Sequence, residues 1–256
     1  MDVRKHNREA WNKQVELGNP WSIPVSSKII ADAKNGKIAI HLSPAKSVPV
    51  QWLSGLKGKK VLCLASGGGQ QGPVLAAAGA KVTVLDNSPK QLEQDRLVAD
   101  REELKIRTVE GNMADLSMFP DNSFNLIVHP ISNVFISDVR PVWNEAFRVL
   151  KKGGVLLSGR NNPIEYIFDL KKAESTGILE VKYKLPYSDA EQLSKKEILR
   201  RKTEGIPLEF SHTLEDQIGG QIDAGFFITG FYEDRDIEKP LDKYTSVYIV
   251  TRALKP

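Results

Sequence analysis

"LASGGGQQGPVLAAAGAKVTVLD", residues 64–86, decides the fold. It reads as the end of an apolar strand, a burst of glycine, a helix of small residues, and a second strand closing on an acid. Gly67, Gly69 and Gly72 fit G-x-G-x-x-G. Glycine there permits a tight turn and close backbone approach, and the helix start that follows offers free N–H groups to a ligand. Asp86 ends the next strand, placed so that its carboxylate can accept from both hydroxyls of a ribose. The stretch therefore predicts a nucleotide site.

Alternation continues on both sides of it. Strands are expected at 59–65, 81–86, 105–111, 123–130 and 154–159. Helices are expected at 72–80, at 88–103 and at 138–154. The second of these opens on Ser88, with Pro89 at the first helical position and Gln91 completing a capping box. The third carries an apolar stripe at Val142, Ala146, Val149 and Leu150 and is expected to stop at the glycine pair 153–154. Strands alternating with helices imply an α/β chain with a parallel sheet covered on both faces. The rhythm breaks over 161–210, where one helix is expected across 188–205 with Ser188 and Glu191 as its capping box. A helix from Thr213 to Ala224 and strands at 226–234 and 245–253 close the chain. The loop joining those strands is too short for a helical crossover, so they should pair antiparallel. Before the alternation, a helix carrying Trp11 is expected over 4–17, followed by a proline-punctuated segment.

Composition narrows the class. The chain has 256 residues and a formal net charge of +4. The basic residues come in small groups beside glycines or acids, such as Lys57, Lys59 and Lys60, or Arg200, Arg201 and Lys202. Nucleic-acid binding would call for a denser basic stripe interleaved with aromatics. No stretch approaches the roughly 18 apolar residues of a membrane span, and the N-terminus lacks a signal-peptide core. The single cysteine, Cys63, cannot form an internal disulfide, which points to a reducing, cytoplasmic setting. There is no Cys/His set with zinc-ligand spacing, so no metal is expected.

Four stretches carry a family resemblance: "VLCLASGGGQQG", "VTVLDNSPKQLEQ", "EGNMADLSMFPDNSFNLIV" and "EAFRVLKKGGVLLSG". Together they resemble the class I S-adenosylmethionine-dependent methyltransferases, in the small-molecule branch of the methyltransferase-domain proteins, over about 56–160 and more faintly over 211–254. The resemblance implies a Rossmann-like three-layer sandwich. Its sheet would be mostly parallel and seven-stranded, with an antiparallel last strand. It further implies one domain across 1–256: an N-terminal cap or lid (1–55), a cofactor half (56–160), an insertion covering the substrate (161–210) and a C-terminal helix and strand pair (211–256).

The implied cofactor is S-adenosylmethionine, its methyl passing to a small-molecule acceptor by in-line displacement. Ser66, Gly67, Gly68 and Gly69 would line its methionine moiety, with Gln70 and Gln71 beside them. Asp86 would hold the ribose, and Asn87, Asn112 and Met113 would flank the adenine. His129 would close the floor near the sulfonium and is the candidate general base. Trp11, Ser132, Asn133, Tyr187 and His212 are candidates for the acceptor pocket. Further aromatics of the irregular segments (Trp21, Tyr166, Phe168, Tyr183) either line that pocket or pack the segments onto the core. Three positions depart from the family: Cys63 stands where an acid is usual, Ala65 where the loop's first glycine is usual, and Asn112 where an aspartate is usual. Other readings are an RNA or protein methyltransferase on the same fold, a non-catalytic S-adenosylmethionine-binding protein, or a nicotinamide-dependent oxidoreductase.

Overall fold

The computed structural model describes residues 1–236 and 238–256. The first strand, β1 (Lys60–Leu64), is buried at its last four positions, as a central strand covered on both faces must be. It pairs in parallel with β2 (Lys81–Asp86) on one side and β4 (Phe124–His129) on the other. The sheet grows outward through β3 (Ile106–Glu110), β5 (Leu150–Asn161), β6 (Phe227–Asp234) and β7 (Tyr248–Leu254). Its order is β3-β2-β1-β4-β5-β7-β6. Only β7 runs against the rest, antiparallel to both β5 and β6.

Helices cover both faces. α3 (Gln71–Ala77) and α4 (Pro89–Glu102) follow β1 and β2. The Ser88 hydroxyl accepts from the Gln91 amide and Pro89 starts α4, so the cap forms where the sequence places it. Val61, Cys63, Val82 and Val84 pack under α3 and α4 in one core. Leu62, Leu64, Leu85 and Ile127 point the other way, into a core with Val142, Trp143 and Ala146 of α5 (Arg140–Val149).

Three expectations change in detail. α5 ends at Val149, not at the glycines, because Leu150 already pairs with Phe124 as the start of β5. The expected helix over 188–205 is two helices, α7 (Asp189–Gln192) and α8 (Lys195–Glu204). Ser188 makes no side-chain cap; Ser194 does, accepting from the Glu197 amide. The helix after Thr213 starts as a π turn over Glu215–Gly219 and finishes as α9 (Gly220–Asp223). The insertion also holds α6 (Leu170–Thr176), which no periodicity announced.

The N-terminal segment folds over the C-terminal edge of the sheet. α1 (Val3–Glu16) is followed by α2 (Ser27–Lys34), which packs beside α3. Asn7 ties α1 to distant chain: its amide donates to the Phe135 and Leu208 carbonyls, and its oxygen accepts from the Leu208 amide. Further on, the backbone of Leu42 crosses β5 so closely that a Cβ on Gly159 would lie 2.1 Å from the Leu42 carbonyl oxygen. Glycine is the only residue that permits that crossing.

Candidate active site

The carboxyl ends of β1, β2 and β4 open into one cavity of about 780 Å3. At its floor the chain leaves β1 through Ala65, whose φ is +46°, the left-handed region that favours glycine. Gly67 follows. Its amide donates to Asp86 Oδ2 at 2.9 Å, and the Ser88 amide donates to Asp86 Oδ1 at 2.9 Å. A Cβ on Gly67 would lie 2.7 Å from Gln91 Cβ and 3.1 Å from the Asp86 carboxyl, so glycine lets this contact form. Burial raises the pKa of Asp86, and the amides of Ser88, Gly67 and Asn87 oppose that rise. The result is a fixed carboxylate with lone pairs to spare, facing the cavity.

From the floor the cavity runs past Leu85, Asn87, Gly111, Asn112 and Met113 on one side. An anionic acceptor at the end of β2 beside an apolar wall suits a ribose and a flat base. Asn112 Oδ1 accepts from the Ala114 amide, which fixes the loop that carries Met113. Asn87 is spent on α1: its oxygen accepts from Arg4 Nε at 3.1 Å and its amide donates to the Arg4 carbonyl. Ser66, Gln70 and Gln71 line the end beside the glycine loop. Gln71 donates to the His41 carbonyl and Gln70 to the Pro20 and Ile23 carbonyls, so the N-terminal segment is strapped across the glycine loop. Ser66, Gly67, Gln70, Gln71, Asp86, Asn87, Asn112 and Met113 thus line one continuous cavity.

Two glycines of the loop are not brought to the cavity. Gly68 and Gly69 both have positive φ and turn outward, toward Trp21 and Ser22 and toward Gln94 and Pro24. His129 is also displaced from the role expected of it. It is fully buried and lies behind the cavity wall. Its Nδ1 donates to the Leu64 carbonyl at 2.8 Å and its Nε2 meets the Asn133 side chain. Burial lowers its pKa, and with both ring nitrogens engaged it braces β1 against the turn after β4. Asn133 continues this brace to Gln217. His212 bonds the Asn133 carbonyl, and Tyr187 bonds Asp189; neither reaches the cavity.

The far end of the cavity is built from the N-terminal segment, the insertion and the C-terminal part of the chain. Trp11 lines it from α1, edge-on to Phe135 at 5.1 Å, and Ser132 lines it from the turn after β4. Tyr166, Glu165, Glu209, Lys239 and Tyr248 complete it. Tyr166 donates to Glu209 Oε2 at 2.9 Å. Burial, and then the charge of Asp189, raise the Glu209 carboxyl above the usual range. Glu165 is held by Asn161 and paired with Lys239. Of these, the sequence pointed to Trp11, Ser132 and Tyr166. Glu209 and Lys239 lie in irregular chain, where no periodicity or motif marks a residue. Trp21 also reaches the cavity, whereas Tyr183 packs against Tyr166 and Tyr187 of the insertion and Phe168 against Leu241, Val247 and Tyr248 near the C-terminus.

No helix among the described residues is long and apolar enough to cross a membrane, and no cluster of metal-binding side chains is present among them. Residues 62–158 match the model of the methyltransferase domain. An uncharacterized methyltransferase of Bacillus subtilis (strain 168) is 55% identical over 98% of this chain and 97% of its own length. A sterol 24-C-methyltransferase of Aspergillus fumigatus is 38% identical over 39% of this chain, which is 27% of its own. The crystal structure of an S-adenosylmethionine-dependent methyltransferase from Mesorhizobium loti has a TM-score of 0.60 at 19% identity, covering 79% of this chain and 94% of that one.

Proposed function

Since the chain belongs to the methyltransferase-domain family and is an S-adenosylmethionine-dependent methyltransferase, we propose that its acceptor is a small molecule seated beyond the cofactor, against Ser132, Tyr166 and Glu209. The observation that carries this reading is the form of the cavity. Its lining continues past the nucleotide end to residues of α1 and of the insertion, including Trp11, Tyr166 and Glu209. A pocket of about 300–1,000 Å3 is the size that small ligands use. The sterol methyltransferase likeness agrees with it, since that relative's name specifies a small acceptor.

When bound, the cofactor supplies an activated methyl group on sulfur; the chain's residues supply position and a dry pocket. Asp86 and the Ser66–Gly67 turn fix the nucleoside and methionine ends. Trp11 and Phe135 shield the acceptor compartment from water. For an acceptor bearing O–H or N–H, Glu209 is the group suited to receive the proton. Its carboxyl accepts from Tyr166, and burial with the Asp189 charge outweighs the nearby Arg201 charge, so its raised pKa lies closer to neutrality, as a general base requires. Glu209 would thus leave the acceptor's O or N with a free lone pair, held by Ser132 and Tyr166 toward the end of the cavity where the cofactor would present its methyl group.

The basic groups do not favour a polymer. Arg200 is paired with Glu197 and Glu204, and Arg201 with Asp189. The lone, fully buried Cys63 supports a cytoplasmic location. The test is incubation of the protein with deuterated-methyl cofactor and a cell extract, then separation into small molecules, RNA and protein. Label in the small-molecule fraction, lowered at least tenfold by Glu209→Gln, is the expected result. Label confined to RNA or protein would replace this acceptor class.

A further inference from the structure

We propose that Asp95, on α4, supplies from beneath the glycine loop the negative charge that the chain lacks at Cys63, and that this charge makes the site prefer the sulfonium cofactor over its neutral-sulfur product. The inference rests on the cofactor assignment and not on the nature of the acceptor.

Asp95 is fully buried, no side chain among the described residues donates to its carboxyl, and only the loop amides of Gly69 and Gly68 face it. A carboxyl in that state is costly, and such groups are retained where they serve the site. Its place is specific. A Cβ on Gly72, in the first turn of α3, would lie 3.0 Å from Asp95 Oδ1, so a glycine keeps room for the carboxyl at the helix start. Cys63 lies close enough that Asp95 adds to the rise in its thiol pKa, after burial. The carboxyl therefore occupies the space under the loop that an acid on β1 would otherwise reach.

The titratable and charged groups facing Asp95 are few: Asp86 from β2, Cys63 from β1, and Arg96 on α4 itself. Neither α3 nor the strap over 19–25 adds one. Burial raises the Asp95 carboxyl to about 8; the amides of Gly69 and Gly68 and the Arg96 charge oppose the rise, and the Asp86 charge adds to it. Asp95 thus changes charge close to neutral pH. A cation bound above the loop favours the ionised carboxylate, and the carboxylate favours the cation to the same degree. S-adenosylhomocysteine has the same amino-acid end but no sulfonium charge. Ionisation of Asp95 should therefore widen the gap between the two ligands.

The test is calorimetric titration of the full chain with S-adenosylmethionine and with S-adenosylhomocysteine, at about pH 6 and about pH 8.5. In the unaltered protein the preference for the methylated ligand should rise roughly threefold to thirtyfold between the two pH values. In Asp95→Asn it should be low and flat. Cys63→Asp in the Asp95→Asn background returns a carboxylate to the same space and should recover the preference. The ligands' own amino group titrates in every protein, so the difference between profiles isolates Asp95. Carbon-13 NMR of the unaltered protein gives a second readout: the Asp95 titration should move to lower pH with the methylated ligand more than with the product. An Asp95→Asn protein with the original preference at both pH values, or a carboxyl that titrates alike with both ligands, would overturn the proposal.

Discussion

Asp86 does two jobs with one carboxylate, and its replacement separates them. Its oxygens already accept from the Gly67 and Ser88 amides, so they hold the loop and the start of α4 before any ligand arrives. Asp86→Ala should weaken S-adenosylhomocysteine binding about tenfold to a thousandfold by calorimetry, the loss of one or two hydrogen bonds to a charged group. Gly159→Ala meets a backbone carbonyl that cannot move without shifting the whole 40–46 crossing. It should cost about 1–3 kcal/mol or more in urea unfolding. For His129 the sign follows from burial, which holds the folded-state pKa below the ordinary value. The unfolded chain then takes up the proton first as pH falls. Stability is therefore present above about pH 6.5 and drains away below it. His212 is shifted the same way, so His129→Gln should remove only part of the fall in urea midpoint between about pH 7.5 and pH 5.5.

At the level of elements, the two serines of the 188–205 stretch make opposite predictions. Ser194→Ala should cost about 1 kcal/mol, the usual price of losing a helix cap, while Ser188→Ala should cost a few tenths at most. The sequence reading put the cap at Ser188, but Ser194 is also followed three residues later by a glutamate, and the break after Leu193 is what chooses it. That contrast shows where the chain is legible. β1, β2 and β4 each have a strand on both sides, so burial writes itself into nearly continuous apolar runs. That rhythm, with the family resemblance, was enough to bring Gly67, Asp86, Asn112 and Met113 to one cavity, but not to show that Gly68 and Gly69 turn away from it. The acceptor end has no such rhythm. Tyr166, Glu209 and Lys239 converge from separate irregular segments through tertiary packing. The displacement of His129 was hidden for a related reason: a histidine at a strand end reads the same whether it faces the cavity or the next strand.

For the molecule as a whole, the site is assembled from both ends of the chain around a central sheet. Truncation of residues 1–20 removes Arg4, Asn7, Trp11 and the start of the strap on the glycine loop. Cofactor affinity should fall at least tenfold, with the sheet still folded by far-ultraviolet circular dichroism; unchanged affinity would show that the cover is dispensable. The single side chain of Asn7 reaches across 201 positions to Leu208. On a ribosome adding about 5–20 residues each second, α1 must wait roughly 10–40 s for that partner to be made. Meanwhile the stretch up to β5 has everything it needs to form its own sheet. α1 can rest early on the start of α4 through Asn87 and Ser88, while its Asn7 anchor closes late, so a chain stalled before residue 208 would carry a nucleotide cleft whose roof is held along one side alone.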